Sequence, residues 1–236
     1  MKSVTHGLNR FIGARELEKK IDDLKKEYEQ VCAENIALKA FSHYKEETKE
    51  LYSFNKRYLL EHGHVGQILA RHFSLNNQFF LVDLGSSQGI EKDMVALYGN
   101  AIIGKVVQVY PWYCKVCLIT DMDCKISVVC LPSVKSSCSV KNRNIALELV
   151  KKSASGIHEG INAMTHTVIR YVSHLESVKI GDDVFSSGEG LIFPRGFALG
   201  QVIAADKGDL FYTVTVQPMI DFQALRYCTI IAKENI

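Results

Sequence analysis

The sequence predicts a mainly β protein in which a long N-terminal coiled-coil helix is followed by two small β-barrels. Three observations carry this. From Arg15 to Leu60 there is no proline or glycine, and apolar residues recur at alternating spacings of four and three. After Gly63 the period changes from helical to two. Many short Val-, Ile-, Phe- and Tyr-rich runs then alternate with Gly, Asp, Asn and Pro turn signals, the mark of a barrel or sandwich. No helix of crossover length separates the strands, which argues against a parallel α/β sheet.

The helical segment is read first. Leu17, Leu24, Val31 and Leu38 fall at d positions, with Ile21, Tyr28 and Asn35 at a. That is a heptad seam, and a single Asn at an a position fixes register in a two-stranded coil. Glu34 at g and Lys39 at the following e suit pairing between parallel strands. The seam slips by one residue and resumes as Phe41, Tyr44, Thr48, Leu51, Asn55 and Tyr58, poorer in aliphatics. A helix of about 45 residues is roughly 68 Å long, more than a small domain needs for its own packing. A homodimer is therefore expected.

Ten strands are predicted: Val65–Ala70, Phe79–Leu84, Ala101–Tyr110, Tyr113–Thr120, Lys125–Leu131, Ile145–Lys151, Thr167–Val172, Ala198–Ala205, Leu210–Gln217 and Leu225–Ala232. The expected division is a flexible N-terminus over 1–14, a coil over 15–60, a hinge over 61–78, a first barrel over 79–140 and a second over 141–224. The last strand, 225–234, is a candidate to return to the first barrel. The Ser- and Lys-rich stretch Pro132 to Asn144 is the expected junction between barrels. Gly104, inside an otherwise β-branched strand, signals a bulge or barrel corner. Gly196 after Pro194-Arg195 fits a tight turn.

Composition excludes several classes. Of 236 residues, 47% are apolar and 23% charged, ordinary for a globular chain. A net charge of +2, from 28 basic and 26 acidic residues, gives no one-signed field for nucleic acid. No run reaches the roughly 18 apolar residues that span a bilayer, and Met1 to Arg15 is too polar for a signal peptide. The seven cysteines are odd in number, and their usage by itself suggests a reducing compartment.

Catalytic and metal readings are weak. His158, His166 and His174 and the serines Ser186 and Ser187 are available for a triad, but no G-x-S-x-G or G-D-S-G pattern exposes a nucleophile. Cys114, Cys117, Cys124 and Cys130 suggest zinc less than they suggest small buried hydrophobes with one disulfide. A spacing of three inside a strand puts Cys114 and Cys117 on opposite faces. His62-Gly63-His64 with His72 reads as a hinge after the coil. Neither cofactor nor metal is expected. Trp112 and Tyr113 beside Pro111 have two readings, a plug at a strand-end core or an interface anchor. The Leu191-Ile192-Phe193 run poses the same choice.

Four motifs stand in order behind the coil. Gly181-Asp182-Asp183-Val184-Phe185-Ser186-Ser187-Gly188-Glu189-Gly190-Leu191-Ile192-Phe193-Pro194-Arg195-Gly196-Phe197-Ala198-Leu199-Gly200-Gln201-Val202 closely resembles a signature stretch of the MreC family. Asp83-Leu84-Gly85-Ser86-Ser87-Gln88-Gly89-Ile90 resembles that family's opening turn. Ile103-Gly104-Lys105-Val106-Val107 with Leu118-Ile119-Thr120-Asp121 resembles its V-G-x-V and L-L-T-D pair. Val216-Gln217-Pro218-Met219-Ile220-Asp221-Phe222-Gln223-Ala224-Leu225 resembles its tail. The resemblance spans about residues 15 to 235. It implies a membrane-anchored, dimeric, non-enzymatic scaffold on the outer side of the inner membrane. Such a scaffold joins cytoskeletal MreB and membrane MreD to the wall synthase RodA and its class B penicillin-binding partner. The sequence departs from the family in lacking the transmembrane helix, in lacking glycines over Pro132 to Asn144, and in its high cysteine number. A periplasmic adaptor of an efflux or secretion system and a trypsin-like hydrolase are the alternatives. An adaptor needs a helical hairpin, and only one coil is visible.

Overall fold

A computed structural model describes residues 63–133, 153–190, 192–208 and 210–232, together with 25–27, 30–31, 34, 39, 45, 48–49 and 51–52. The chain divides into two units, residues 1–49 and 50–236. In the first unit every described residue is helical. Of the seam from Leu17 to Leu38 only Val31 is described; it is helical and 58% exposed, whereas Thr48 and Leu51 of the resumed seam are helical and buried. Leu17, Ile21, Leu24, Tyr28, Asn35 and Leu38 lie outside the described residues, as do Ile145–Lys151 and most of Pro132–Asn144.

The second unit is mainly β, with a six-stranded barrel and additional strands. The strands are β1 (His64–Phe73), β2 (Gln78–Val82), β3 (Val95–Tyr98), β4 (Ala101–Val109), β5 (Cys114–Leu118), β6 (Lys125–Leu131), β7 (Ala154–Glu159), β8 (Thr167–Ser173), β9 (Asp183–Ser186), β10 (Ala198–Lys207), β11 (Phe211–Pro218) and β12 (Tyr227–Ile231). Antiparallel pairing runs β6–β7–β8–β11–β10–β9 and returns to β6, closing a circuit. The additional strands pair β1–β2–β5–β4–β3–β12 and return to β1. Closure leaves no strand of either circuit with only one neighbour. The circuits meet at a single parallel pair, Ala198 of β10 with Ala101 of β4. One contiguous apolar cluster runs through both.

Local patterns explain the strands. β6 alternates buried Ile126, Val128 and Cys130 with more exposed neighbours, the period-2 signature of a wall with one wet face. β4 departs from this, with Ala101, Ile102, Ile103 and Gly104 all buried in succession. At Gly104 a Cβ would lie 1.8 Å from the Cys117 carbonyl oxygen, so only glycine lets β4 and β5 approach. The register skips Ile103 between Ala96 and Leu97 of β3, which is the bulge expected there.

The pairings correct two parts of the sequence reading. The segment 61–78, expected as a hinge, contains β1, a full wall strand of the circuit that holds β2–β5. β6, placed by sequence in the first barrel, bonds instead to β7 and β9. Alternation reveals that a strand exists, but not which strand it joins. β12 pairs with β1 and β3. β3, β7 and β9 were absent from the predicted strands; β3 and β9 have four residues each, and β7 carries Gly156, His158 and Glu159.

The orientation of the two circuits rests on a polar cluster. Gln78 opens β2, Thr120 and Asp121 follow β5, and Asn162 follows β7. The Gln78 N–H donates to Asp121 Oδ2 at 2.5 Å, and the Thr120 hydroxyl donates to Gln78 Oε1. Gln78 Nε2 donates to the Asn162 carbonyl at 2.7 Å, and the Asn162 N–H donates to the Thr120 carbonyl at 2.8 Å. The Asn162 side chain accepts from the Met122 N–H at 3.2 Å and donates to the Leu75 carbonyl at 2.7 Å. Gln78, Thr120 and Asp121 are each at most 3% exposed. Asn162 has φ +56, a conformation Asn tolerates better than most residues. Asn162→Ala removes both side-chain bonds and raises the backbone cost. Urea unfolding should show a loss of about 1–3 kcal/mol; an unchanged midpoint would mean the cluster does not hold the junction.

Candidate partner-binding surface

The loop joining β4 to β5 carries Pro111, Trp112 and Tyr113. The Tyr110 and Tyr113 rings stack at 4.4 Å across its base, and the Tyr110 N–H donates to the Tyr113 carbonyl at 2.9 Å. The short 3-10 turn Ser86–Gln88 supports the loop from beneath. Its Ser86 N–H donates to the Tyr110 carbonyl at 2.9 Å, and its Ser87 N–H to the Pro111 carbonyl at 3.2 Å. At Gly85 a Cβ would stand 2.4 Å from both carbonyl oxygens, so the opening motif's glycine lets the turn lie flat against the loop. Gly89 closes the turn at φ +80. Trp112 is then 72% exposed and Tyr113 37%. Trp112 is therefore no core plug, because most of its surface faces solvent.

The long motif wraps the other circuit. Gly181 has φ +94, and the buried Asp182 carboxylate accepts from the Lys179 N–H at 2.8 Å. Gly188, Gly190 and Gly196 have φ of +83, +92 and +89. Ser186 is fully buried; its hydroxyl donates to the Pro194 carbonyl at 2.5 Å and accepts from the Phe197 N–H at 3.0 Å. Both capacities are used inside the turn, so Ser186 is a structural clamp. Gly200 sits opposite Pro218 at the end of β11. Leu191 lies outside the described residues. Phe193 is 6% exposed and belongs to the core, so of its two readings the packed one describes its side chain. It is nonetheless the floor of an open pocket of about 260 Å³, lined with it by Ile192, Gly190, Glu189, Lys125, Ile126, Ser127 and Ile157. Ile157 is 41% exposed there. Ser127 donates to Glu189 at 3.0 Å across the rim. Beside it Lys125 and Arg170 reach Glu159 at 3.2 and 2.8 Å, Lys125 foremost holding that carboxyl below its ordinary range.

The remaining candidates are structural. Cys114, Cys117, Cys124, Cys130 and Cys228 are buried free thiols rather than members of a disulfide. Burial pushes Cys114 and Cys130 up to about 12 and raises Cys228; a hydrogen bond to Cys117, with burial, raises Cys124. Such thiols stay protonated and do not act as thiolate ligands. No group of metal-binding side chains occurs among the described residues, and none of their helices is long and apolar enough to cross a membrane. Cys32 and Cys138 lie outside the described residues. Ile157, Lys125 and Asn162 escaped sequence reading because nothing in a lone Ile, Lys or Asn marks it; Thr120 and Asp121, polar residues closing a strand inside a motif, gave a signal.

Trp112 is the sole tryptophan, so its fluorescence reports this loop directly. Native emission should lie near that of the urea-unfolded chain, and Trp112→Ser should shift stability by less than about 0.5 kcal/mol. A strongly blue-shifted native spectrum would return Trp112 to the core.

Residues 68–232 match the family model for rod shape-determining protein MreC, barrel core. The cell shape-determining protein MreC of Listeria monocytogenes is 28% identical over 155 residues, covering 64% of this chain and 47% of that protein. The chain thus spans about half the length of that relative. Its Bacillus subtilis counterpart is 25% identical over 236 residues, covering 91% and 75%. Among solved structures, MreC from Pseudomonas aeruginosa superposes with a TM-score of 0.58 at 23% identity, over 72% of this chain and 99% of that one. Listeria MreC gives 0.60 at 21% identity, over 83% and 92%. These two share the fold. With its barrel core matched from one circuit through the other, the chain belongs to the MreC family.

Proposed function

We propose that this chain is a cell-shape-determining scaffold of the bacterial envelope. In this reading it dimerises through the N-terminal helix and organises the peptidoglycan elongation machinery without catalysing a reaction. The observation that carries the proposal is the match of the MreC barrel core over residues 68–232. Its partners would be MreB and MreD on one side and RodA with a class B penicillin-binding protein on the other. It would stand on the outer face of the inner membrane, held by a membrane helix on the N-terminal side of the coil.

The proposed division of labour follows from the chemistry of the surfaces. The seam from Leu17 to Leu38 supplies dimerisation. The exposed Trp112 tip and the pocket of Ile157, Ile192 and Phe193 supply partner contact, since a protruding tryptophan and an apolar recess both suit hot-spot recognition. The hydrolase alternative loses support from Ser186, whose hydroxyl is committed to Pro194 and Phe197.

Ile21→Lys with Leu24→Lys places charge in the seam and should convert a dimer to a monomer in analytical ultracentrifugation. A persistently dimeric double variant would move association to the barrels. Used as bait on envelope membranes, the wild-type chain should recover the elongation synthase complex. Recovery of an efflux or secretion transporter instead would transfer the chain to the adaptor class.

A further inference from the structure

We infer that the pocket floored by Phe193 is gated by protonation of His158, which stands on the inner side of the wall forming it. The inference rests on the partner role proposed above for that pocket.

Successive residues of β7 face opposite ways. Ile157 points outward and lines the pocket, whereas His158 is fully buried within the wall. The neighbouring strand keeps the two linked. In β6, Ile126 registers with His158, Ser127 with Ile157 and Lys125 with Glu159. Lys125, Ile126 and Ser127 all line the pocket. The strand pair that seats the imidazole is thus the strand pair that shapes the recess.

The seat accepts only a neutral ring. His158 Nε2 lies 2.8 Å from the Thr167 hydroxyl, which donates to the Val216 carbonyl at 3.5 Å. That order makes Nε2 the N–H donor and leaves Nδ1 a bare lone pair, and Nδ1 has no hydrogen-bond partner. A proton there meets no acceptor. The residues facing the ring are Ile126 from β6, Thr167 and Ile169 from β8, and Val216 of β11 through Thr167. The charge that acts on the ring is Glu159, which is itself paired with Lys125 and Arg170. Burial accordingly lowers the ring's pKa from 6.5 to about 4, against a weaker opposing pull from Glu159.

The sign follows from proton counting. Above pH 6.5 the ring is neutral whether the wall is closed or open. Between pH 6.5 and about 4 the open wall binds a proton that the closed wall refuses. Each unit of acidification across that window favours the open state by up to about tenfold. Below about pH 4 both states are protonated and the bias grows no further. Opening separates β6 from β7 and dismantles the recess between Ser127, Ile157 and Phe193.

Amide hydrogen exchange of the full chain, corrected for intrinsic pH dependence, tests this. The opening population over residues 154–159 should rise about fivefold from pH 6.5 to 5.5, because the open ring is already half-protonated at 6.5, while residues 114–118 stay constant. In His158→Gln, which keeps a donor for Thr167 but cannot titrate, the rise should vanish. Equal slopes in the two proteins overturn the gate. Should the variant not fold, the imidazole C–H resonances of the wild type decide: titration near 6.5 means the ring meets water and sinks the proposal. Recovery of the elongation synthase by wild-type bait should fall at pH 5.5 relative to 7.5, and recovery by His158→Gln should hold. Loss of recovery at both pH values with the exchange slope intact would remove the scaffold reading instead.

Discussion

Two closed six-strand circuits share almost no sheet hydrogen bonding with which to fix one against the other. The single pair of Ala198 with Ala101 cannot define an angle. Within the apolar cluster common to both circuits, directional fixing comes from the buried amide of Gln78, whose oxygen and nitrogen are both satisfied, one by Thr120 and one by Asn162. Bonds of this kind are directional, and breaking one strands a partner away from water at a cost of about 1–3 kcal/mol. An apolar contact of similar area would permit sliding; this cluster specifies a single seating. The Trp112 loop and the Phe193 pocket each derive their placement from the circuit that carries them, and so from that seating.

Sequence alternation exposed the strands that are long and β-branched, such as β4 and β11. It missed β7, because Gly156, His158 and Glu159 dilute its apolar content, and β9, because Asp183 was read as the end of a turn. Strand partnership was less legible still. β6 has the same pattern whichever circuit it enters, and only the pairing with β7 and β9 decides. Among candidate site residues, hydrophobicity could not separate inside from outside. Trp112 is bulky yet exposed at the tip of a loop whose base holds the Tyr110–Tyr113 stack; Phe193 is bulky and buried as the floor of a recess. The motif glycines were legible as backbone requirements, and Gly85 and Gly104 have their specific reason in carbonyl oxygens that a Cβ would strike.

The cysteines illustrate the difference between composition and environment. Their number, taken alone, points to a reducing compartment. Five of them are instead small buried groups in the barrel walls, and burial keeps the thiols of Cys114, Cys130 and Cys228 protonated. A thiol without thiolate character and without solvent access is slow to oxidise whatever surrounds it. Among the described residues, cysteine usage therefore reports packing.

The pairing of β12 with β1 and β3 has a consequence for how the molecule is made. The circuit of β6 to β11 is contiguous in sequence, so it is complete as soon as Pro218 is available. The circuit that begins at His64 encloses it and lacks a wall strand until Tyr227–Ile231 arrives. The barrel that starts first must finish last, holding an unpaired edge between β1 and β3 throughout synthesis. Contacts separated by some 160 residues form slowly because their loop closure precedes any reward. During that interval the edges of β1 and β3 lie open to mispairing, and the nested, already closed barrel serves as the compact loop that brings their missing strand home.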